Sequence, residues 1–376
     1  TPPAVRRRAR IDALAVEGGA MSTAGAQEVS ITGDYFDQYL TSPQNVTYGP
    51  TGYEYNASEC RIVTEPTEVR CQSAPGVGLG LIWRVSVGGG VWSHPSSATL
   101  GYAAPAITGI SGPRIGNLST RGGDLILLNG TDFGPLGTRV EASYRNAALR
   151  GLAGVNYSAV ECEVLTAHVV VGCKTAPGVG HAQQWSLSVV HWGAPHDQAS
   201  PYSRDATSYA PPAVDQLIFV NASTHGGDNV TLRGTEFGPL DPRNSVRSLY
   251  FANQSSSLEG FRFWAKDCRI IEAHSVMRCV TIPGVGAKHR WRVLVGGQLS
   301  SCSQDELTYN RPRIRAIFGT SSDAAQFTGS SPSHGLQTSG GETVALDVEE
   351  AGVVRMRHPR GGRIGMATVS IRRLVS

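Results

Sequence analysis

The sequence predicts an all-β protein built of β-sandwiches in tandem, and three observations carry that prediction. One pattern occurs three times, at Cys60 to Trp83, Cys162 to Trp185 and Cys268 to Trp291. In each copy the cysteines are 11 apart, Pro-Gly-Val-Gly starts 4 residues after the second, and Trp follows that Pro by 8. Self-similarity at a fixed period marks a repeat architecture. The composition also fits strands and turns, with only 17% charged residues, 45 Gly and 21 Pro. Finally, apolar residues alternate with polar ones, and no long stretch carries them at i, i+3, i+4 and i+7.

The elements follow in order. Each repeat opens on proline and an apolar strand: Pro2-Pro3-Ala4-Val5, Pro105-Ala106-Ile107, Pro211-Pro212-Ala213-Val214 and Pro312-Arg313-Ile314. Proline fixes φ and cannot donate to a ladder, so it suits a strand start. The openings lie about 100 residues apart, the size of one immunoglobulin-like sandwich. The expected units are 1–103, 104–210, 211–310 and a partial unit 311–376. A Gly-Gly turn and a second strand follow, as GGDLILLNGTDFGPL from Gly122 and GGDNVTLRGTEFGPL from Gly226. The first repeat gives AQEVSITGDYFDQ from Ala26, without the paired glycines. Val29 and Ile31, Ile126 and Leu128, and Val230 and Leu232 should face the core. Phe36, Phe133 and Phe237 should plug one end of each sandwich, beside a glycine that makes the turn.

The paired cysteines read as a hairpin. Two strands joined by a tight turn set Cys60 opposite Cys71, Cys162 opposite Cys173 and Cys268 opposite Cys279. Opposed antiparallel residues lie within disulfide range. A zinc site would use shorter Cys spacings with more Cys or His nearby. Trp83 with Val85 and Val87, Trp185 with Leu187 and Val189, and Trp291 with Val293 and Val295 then share a buried face. The repeats close at Tyr102, Tyr209 and Tyr309 with almost no linker, so neighbours should abut in a semi-rigid rod. After Gly340 a second-strand match (GGETVALDVEEAG) is followed by no cysteine hairpin. Two readings of the fourth unit stay open: the protein continues past Ser376, or a strand from another molecule completes the unit, as in a filament subunit.

Regular cysteine pairing points to an oxidising compartment. So do eight Asn-x-Ser/Thr acceptor sites, at Asn45, Asn56, Asn117, Asn129, Asn156, Asn221, Asn229 and Asn253. Asn117 and Asn221 hold the same place in two repeats, and Asn129 and Asn229 should point to solvent, as a glycan requires. The start, TPPAVRRRAR, has no apolar leader, as expected of a mature chain or a fragment. No run of about 18 apolar residues suits a membrane span. Four Arg lie in residues 1–10, and nine Arg face five acidic residues in 311–376, within a net charge of +3. Such basic ends could meet acidic partners, but a nucleic-acid role conflicts with the cysteine pairs and the glycan acceptors.

The Pro-Pro-x-Val opening, Gly-Gly-x-x-Val-x-Leu-x-Gly-Thr-x-Phe-Gly-Pro, the Cys pair, and the Val-x-Val strand before Ser-Tyr-x-Pro-Pro together resemble the IPT/TIG family. These are immunoglobulin-like domains shared by plexin-type receptors, fibrocystin-like surface proteins and algal and protist surface proteins. The resemblance covers three full repeats and one partial, and is clearest in the second and third. It implies an extracellular binding, adhesive or architectural role without catalysis.

Catalytic signatures are missing: no Gly-x-Ser-x-Gly, His-Glu-x-x-His or phosphate loop occurs. No cofactor is expected. Asp34, Asp132 and Glu236 recur in the Gly-x-x-Phe turn, but one acid per repeat is too few for calcium. They should stabilise that turn. His168 and His274 stand in hairpin turns, where solvent is their expected partner. Trp92 and Trp192 lie beyond the Trp strand, where they could stack on sugars, anchor a partner or cover a domain junction. Cys302 is the odd cysteine, suggesting a free thiol or an intermolecular bridge. The function expected is a structural or adhesive extracellular glycoprotein whose partners are its own copies or an extracellular protein or glycan. The alternative is a receptor ectodomain.

Overall fold

The computed structural model describes residues 8–36, 43, 45–87, 90–146, 155–190, 198–219, 222–241, 246–252, 262–311, 313–319 and 344–349. Every regular element there is a strand, and none is a helix. The chain divides into two compact units, Thr1–Pro211 with Asp241–Asn244, and Pro212–Leu240 with Ser245–Ser376.

The first repeat contains β1 (Arg10–Val16), β2 (Glu28–Asp34), β3 (Asn45–Gly49), β4 (Tyr55–Asn56), β5 (Ser58–Thr64), β6 (Glu68–Gln72), β7 (Leu81–Val87), β8 (Val91–Trp92) and β9 (Thr99–Leu100). They form two antiparallel sheets, β1-β2-β6-β5 and β4-β3-β7-β8, with β9 also on β7. The second repeat copies this order with β10 (Ala106–Ser111), β11 (Leu125–Thr131), β12 (Arg139–Asn146), β13 (Tyr157–Ser158), β14 (Val160–Thr166), β15 (Val170–Lys174), β16 (Gln183–Val190), β17 (Gln198–Ala199) and β18 (Ala206–Thr207).

In the second unit the third repeat does the same. Its strands are β19 (Ala213–Ile218), β20 (Asn229–Thr235), β21 (Val246–Ala252), β22 (Arg262–Trp264), β23 (Lys266–Glu272), β24 (Val276–Val280), β25 (His289–Val295), β26 (Gln298–Leu299) and β27 (Glu306–Leu307). Of the fourth, β28 (Arg313–Gly319) pairs with β29 (Val344–Glu349). Each four-stranded sheet with its five-stranded mate has the strand count of an immunoglobulin-like sandwich.

The period-two pattern decides which residues are inside. Val29, Ile31, Ile126, Leu128, Val230 and Leu232 are all fully buried, as are Trp83, Trp185 and Trp291. Each Trp stacks on a tyrosine of the adjacent strand, with centroids 4.1 Å apart for Tyr48–Trp83, 4.2 Å for Tyr144–Trp185 and 4.4 Å for Tyr250–Trp291. Those tyrosines reach the closing ones: Tyr48–Tyr102 hydroxyls lie 2.8 Å apart, Tyr144–Tyr209 2.7 Å and Tyr250–Tyr309 2.7 Å. Burial pushes the Tyr144 hydroxyl up to about 12 and Tyr209 up further, so both remain neutral donors. Each pair closes on the residue before the Pro-Gly-Val-Gly proline. Tyr209 donates to the Ala176 carbonyl at 2.7 Å and the Ala176 amide donates to Tyr144 at 2.9 Å. A buried hydroxyl without a partner costs about 1–3 kcal/mol, so this mutual satisfaction keeps the motif in place.

The cysteine pairs form the three expected disulfides, with Cα–Cα distances of 4.1 Å for Cys60–Cys71, 4.2 Å for Cys162–Cys173 and 4.1 Å for Cys268–Cys279. The strands are not simply opposed, because each first cysteine sits in a bulge. Register shifts fall between Ser58 and Arg61, Val160 and Glu163, and Lys266 and Arg269. The acid before each cysteine takes positive φ: Glu59 at 50°, Glu161 at 51° and Asp267 at 50°. An extra residue in one strand re-aims its side chains, and here it turns the sulfur toward its partner.

Two expectations are corrected. The opening read at Pro2–Val5 lies outside the described residues, and the strand that pairs with β2 as β19 pairs with β20 is β1: Arg10 pairs with Asp34 as Ala213 pairs with Thr235. The Gly-x-x-Phe glycine does not make a turn. It is a strand residue that must lack a side chain, because a Cβ on Gly130 would meet the Ala106 carbonyl at 2.0 Å and the Phe133 ring at 2.4 Å. The first repeat keeps the Gly-Gly geometry although its second residue is alanine. Gly25 and Ala26 stand at φ 74° and 58°, where Gly122 and Gly123 stand at 77° and 84°.

Ala26 thus holds a left-handed backbone that disfavours a Cβ. The Ala26→Gly variant is expected to gain about 1 kcal/mol in denaturant unfolding of the first repeat. An unchanged or lower midpoint would show that this conformation carries no strain.

The third repeat departs in a compensated way. Tyr55 and Tyr157 donate to the carbonyls of Val77 and Val179, at 2.8 and 3.1 Å. Phe263 holds the same place and has no hydroxyl; instead His289 Nε2 lies 3.1 Å from the Val285 carbonyl. Burial holds this imidazole below its ordinary 6.5, against smaller opposing effects of hydrogen bonds to Val285 and Gly286. The folded chain therefore resists a proton that the unfolded chain accepts. Stability is complete above about pH 6.5 and falls as pH drops below it, levelling off below the lowered folded value. His289→Gln, which installs the residue the second repeat has at Gln183, is expected to flatten that dependence. Urea midpoints between pH 7.5 and 5 check it, and equal slopes in the two proteins would rule His289 out.

Candidate functional site

Two places offer more than core packing: an exposed aromatic cluster on the first repeat, and the join between the first and second. The cluster arises where the β3–β4 loop meets β7 and β8. Tyr53 is 52% exposed. Its ring meets Trp92 edge-on with centroids 5.8 Å apart, and the Arg84 guanidinium lies 4.5 Å from its centroid. Gly52 makes room, since a Cβ there would meet Arg84 Nε at 2.8 Å. Glu54 fixes the loop by accepting from the Thr51 amide and hydroxyl and, at 3.1 Å, from the Tyr53 amide. Burial pushes the Glu54 carboxyl up, but these hydrogen bonds outweigh it and hold it below its usual value. It stays a charged acceptor, and the Tyr53 ring is presented on a braced loop. An aromatic pair with an adjacent cation suits a sugar ring or a partner side chain.

The second repeat shows a related pair, with the Arg145 guanidinium 4.3 Å from the centroid of Tyr202, itself 37% exposed. Trp192 lies outside the described residues. The sequence did not single out Trp264, which is 45% exposed on β22. Its signal was position: it follows Phe263 where Asn56, an acceptor site, follows Tyr55.

The join uses residues read as turn furniture. Asp132 accepts from the Thr23 amide at 2.9 Å and from the Thr23 hydroxyl at 3.3 Å. The same hydroxyl lies 3.0 Å from His168 Nδ1. Gln198 Nε2 donates to the Tyr102 carbonyl at 2.6 Å, and Val77 packs against the second core. His168 is thus an interdomain partner and not simply a solvated turn residue. Asp132 ties two repeats together, and its counterpart in the first repeat is Tyr35, at φ 66° against 59°, not Asp34.

Cys302 carries a free, half-buried thiol. It occupies the place of Tyr202, between two serines whose hydroxyls accept from β25 amides: Ser300 from Val293 and Ser303 from Trp291, both at 3.0 Å. The same Ser pair serves Val85 and Trp83 through Ser93 and Ser96, and Leu187 and Trp185 through Ser200 and Ser203. Their fixed distance from the closing Tyr was the readable signal. Among the acceptor sites, Asn45, Asn56, Asn117, Asn156 and Asn229 are exposed and Asn129 is half-buried. Asn221 and Asn253 lie outside the described residues. Among the described residues no three His, Cys, Asp or Glu side chains gather to hold a metal ion, and no helix is long and apolar enough to cross a membrane.

No protein-family description matches the chain, and no curated protein does. Solved structures do. One, a crystal structure with xylogluco-oligosaccharide, is 15% identical at a TM-score of 0.30, covering 80% of this chain and 60% of that one. The plexin A4 extracellular region is 11% identical at 0.22, covering 82% and 25%. The Escherichia coli adhesin FdeC is 13% identical at 0.23, covering 81% and 99%. The chain thus spans less than two thirds of the first two. The all-β immunoglobulin-like architecture rests on the sheets themselves.

Proposed function

We propose that this chain is a non-enzymatic extracellular glycoprotein, a structural or adhesive array of immunoglobulin-like sandwiches of the IPT/TIG kind. The observation that carries the reading is the join. Polar side chains of the second repeat bind the backbone and hydroxyl of the first, so two successive sandwiches act as one body. The disulfides of the first three repeats suit an oxidising compartment. Small-angle scattering of the secreted full chain tests the join. Asp132→Ala with His168→Ala is expected to broaden the distribution of interdomain distances while leaving each fold intact. An unchanged scattering curve would count against a rigid connection between the repeats.

The reading as a receptor ectodomain rests on a different observation, the Tyr53–Trp92–Arg84 cluster. It predicts binding to a glycan or protein that Trp92→Ala weakens tenfold or more, read on a glycan array and by cell binding. No loss would leave the cluster as a loop support. The filament form attaches to the fourth repeat, whose described part is the β28–β29 pair. In the complete repeats the equivalent second strand also pairs with the disulfide hairpin, as β11 does with β15. Electron microscopy showing only isolated particles at high concentration would remove the filament from the proposal.

A further inference from the structure

The outward face of the β1-β2-β6-β5 sheet and its two counterparts differs among the repeats in a way that core packing does not require. In the first repeat it is an ion-pair lattice: Glu28 bridges Arg61 and Arg70, and Glu68 holds Arg70 at 2.8 Å. In the second repeat four of these positions lose their polar or charged side chain, while Glu163 stands at the place of Arg61 and Lys174 lies opposite Leu125. Leu125 replaces Glu28, Leu127 replaces Ser30, Val170 replaces Glu68 and Gly172 replaces Arg70. Leu125 and Leu165 are 45% and 46% exposed, and Val160 is 47%. A Cβ on Gly172 would meet Leu165 at 2.7 Å, so the leucine leans over the glycine. Contiguous exposed apolar surface on a soluble domain marks something that covers it.

One residue of that face stands out. Asn129, in Asn129-Gly130-Thr131, lies two residues from Leu127 on the same strand and directly opposite Val170. Successive same-side residues on a strand are about 7 Å apart, so a few sugar rings from Asn129 reach Leu125. Asn129 Nδ2 donates to Ser111 Oγ at 3.1 Å on β10, the residue paired with Leu127, which holds the amide beside Leu127 on this face. We propose that an N-linked glycan on Asn129 covers the apolar outer face of the second repeat, its sugar C–H surfaces lying on Leu127, Leu125 and Leu165. This rests on the extracellular reading above. In the attachment step Asn129 Nδ2 bonds to the anomeric carbon of a lipid-diphosphate-linked oligosaccharide. The anomeric C–O bond breaks, the lipid diphosphate leaves and takes up the proton that the amide loses, and the amide keeps its other proton for Ser111. Bulky polar sugars keep such a surface soluble.

The test uses the full chain secreted from a eukaryotic host. Peptide mass spectrometry is expected to find Asn129 occupied. Thr131→Ala should remove that glycan alone, raise binding of a hydrophobic dye severalfold and produce self-association in light scattering. Adding Leu127→Thr and Leu165→Thr should reverse both effects, while Thr231→Ala, which removes the Asn229 site, should cause neither. Loss of the Asn129 glycan with unchanged dye binding and a monomeric protein would overturn the proposal. So would an unoccupied Asn129 beside other occupied sites, since the face would then be open to a second copy or partner. A chain with no glycan at any site would instead overturn the extracellular reading.

Discussion

Replacing both Cys162 and Cys173 with alanine is expected to lower the stability of the second repeat by about 3 kcal/mol, the chain-entropy value for a bridge closing so short a loop. The loss should be local. The disulfide links β14 to β15 and so pins the edge strand of a four-stranded sheet. Without it β14 keeps only its ladder to β15, which a bulge interrupts at the cysteine. Calorimetry of the full chain should show one transition moving down while the third repeat's stays. Hydrogen exchange should show β14 opening first. A second-repeat transition unmoved within 1 °C would mean that the bridge contributes nothing beyond the packing of Cys173, which is itself fully buried.

What was legible in the sequence followed from periodicity. Alternation placed Val29, Ile31 and the three tryptophans inside, because a strand has only two faces and one is buried. Fixed spacing gave the disulfides. What escaped notice were contacts made between segments. Tyr48, Tyr144 and Tyr250 lie in the variable middle of each repeat, so their role beside the closing tyrosines has no local signature. Asp132 and His168 looked like turn residues because their partner, Thr23, is over 100 positions away. The opening strand was not legible because Pro2-Pro3-Ala4-Val5 reads like the opening at Pro211, whereas β1 begins at Arg10 without a proline beside it. The aromatic cluster was half seen. Trp92 was visible as an unassigned aromatic, but Tyr53 and Arg84 join it only through the fold of the β3–β4 loop.

The Pro-Gly-Val-Gly motif yields the second large effect, because its two glycines do different work. Gly180 takes φ 109°, a conformation that side chains rarely adopt. Gly178 has no such need, yet a Cβ there would lie 2.6 Å from the Tyr157 ring and 2.7 Å from the Tyr209 hydroxyl. Neither ring can step aside cheaply. Tyr157 accepts from the Val179 amide at 3.0 Å and donates to its carbonyl at 3.1 Å, and Tyr209 donates to Ala176 at 2.7 Å. Gly178→Val is therefore expected to cost about 3 kcal/mol, the upper end for overpacking. That would lower the melting temperature of the second repeat by about 12 °C or more. The control is Tyr157→Phe, which copies the third repeat's Phe263 and removes one hydroxyl without crowding; it should cost only about 1 kcal/mol. If Gly178→Val melts with the parent, the motif is a plain turn. If it melts early while Tyr157→Phe is mild, the motif is the floor on which the three rings of each sandwich are packed, and its recurrence with fixed spacing follows from that geometry.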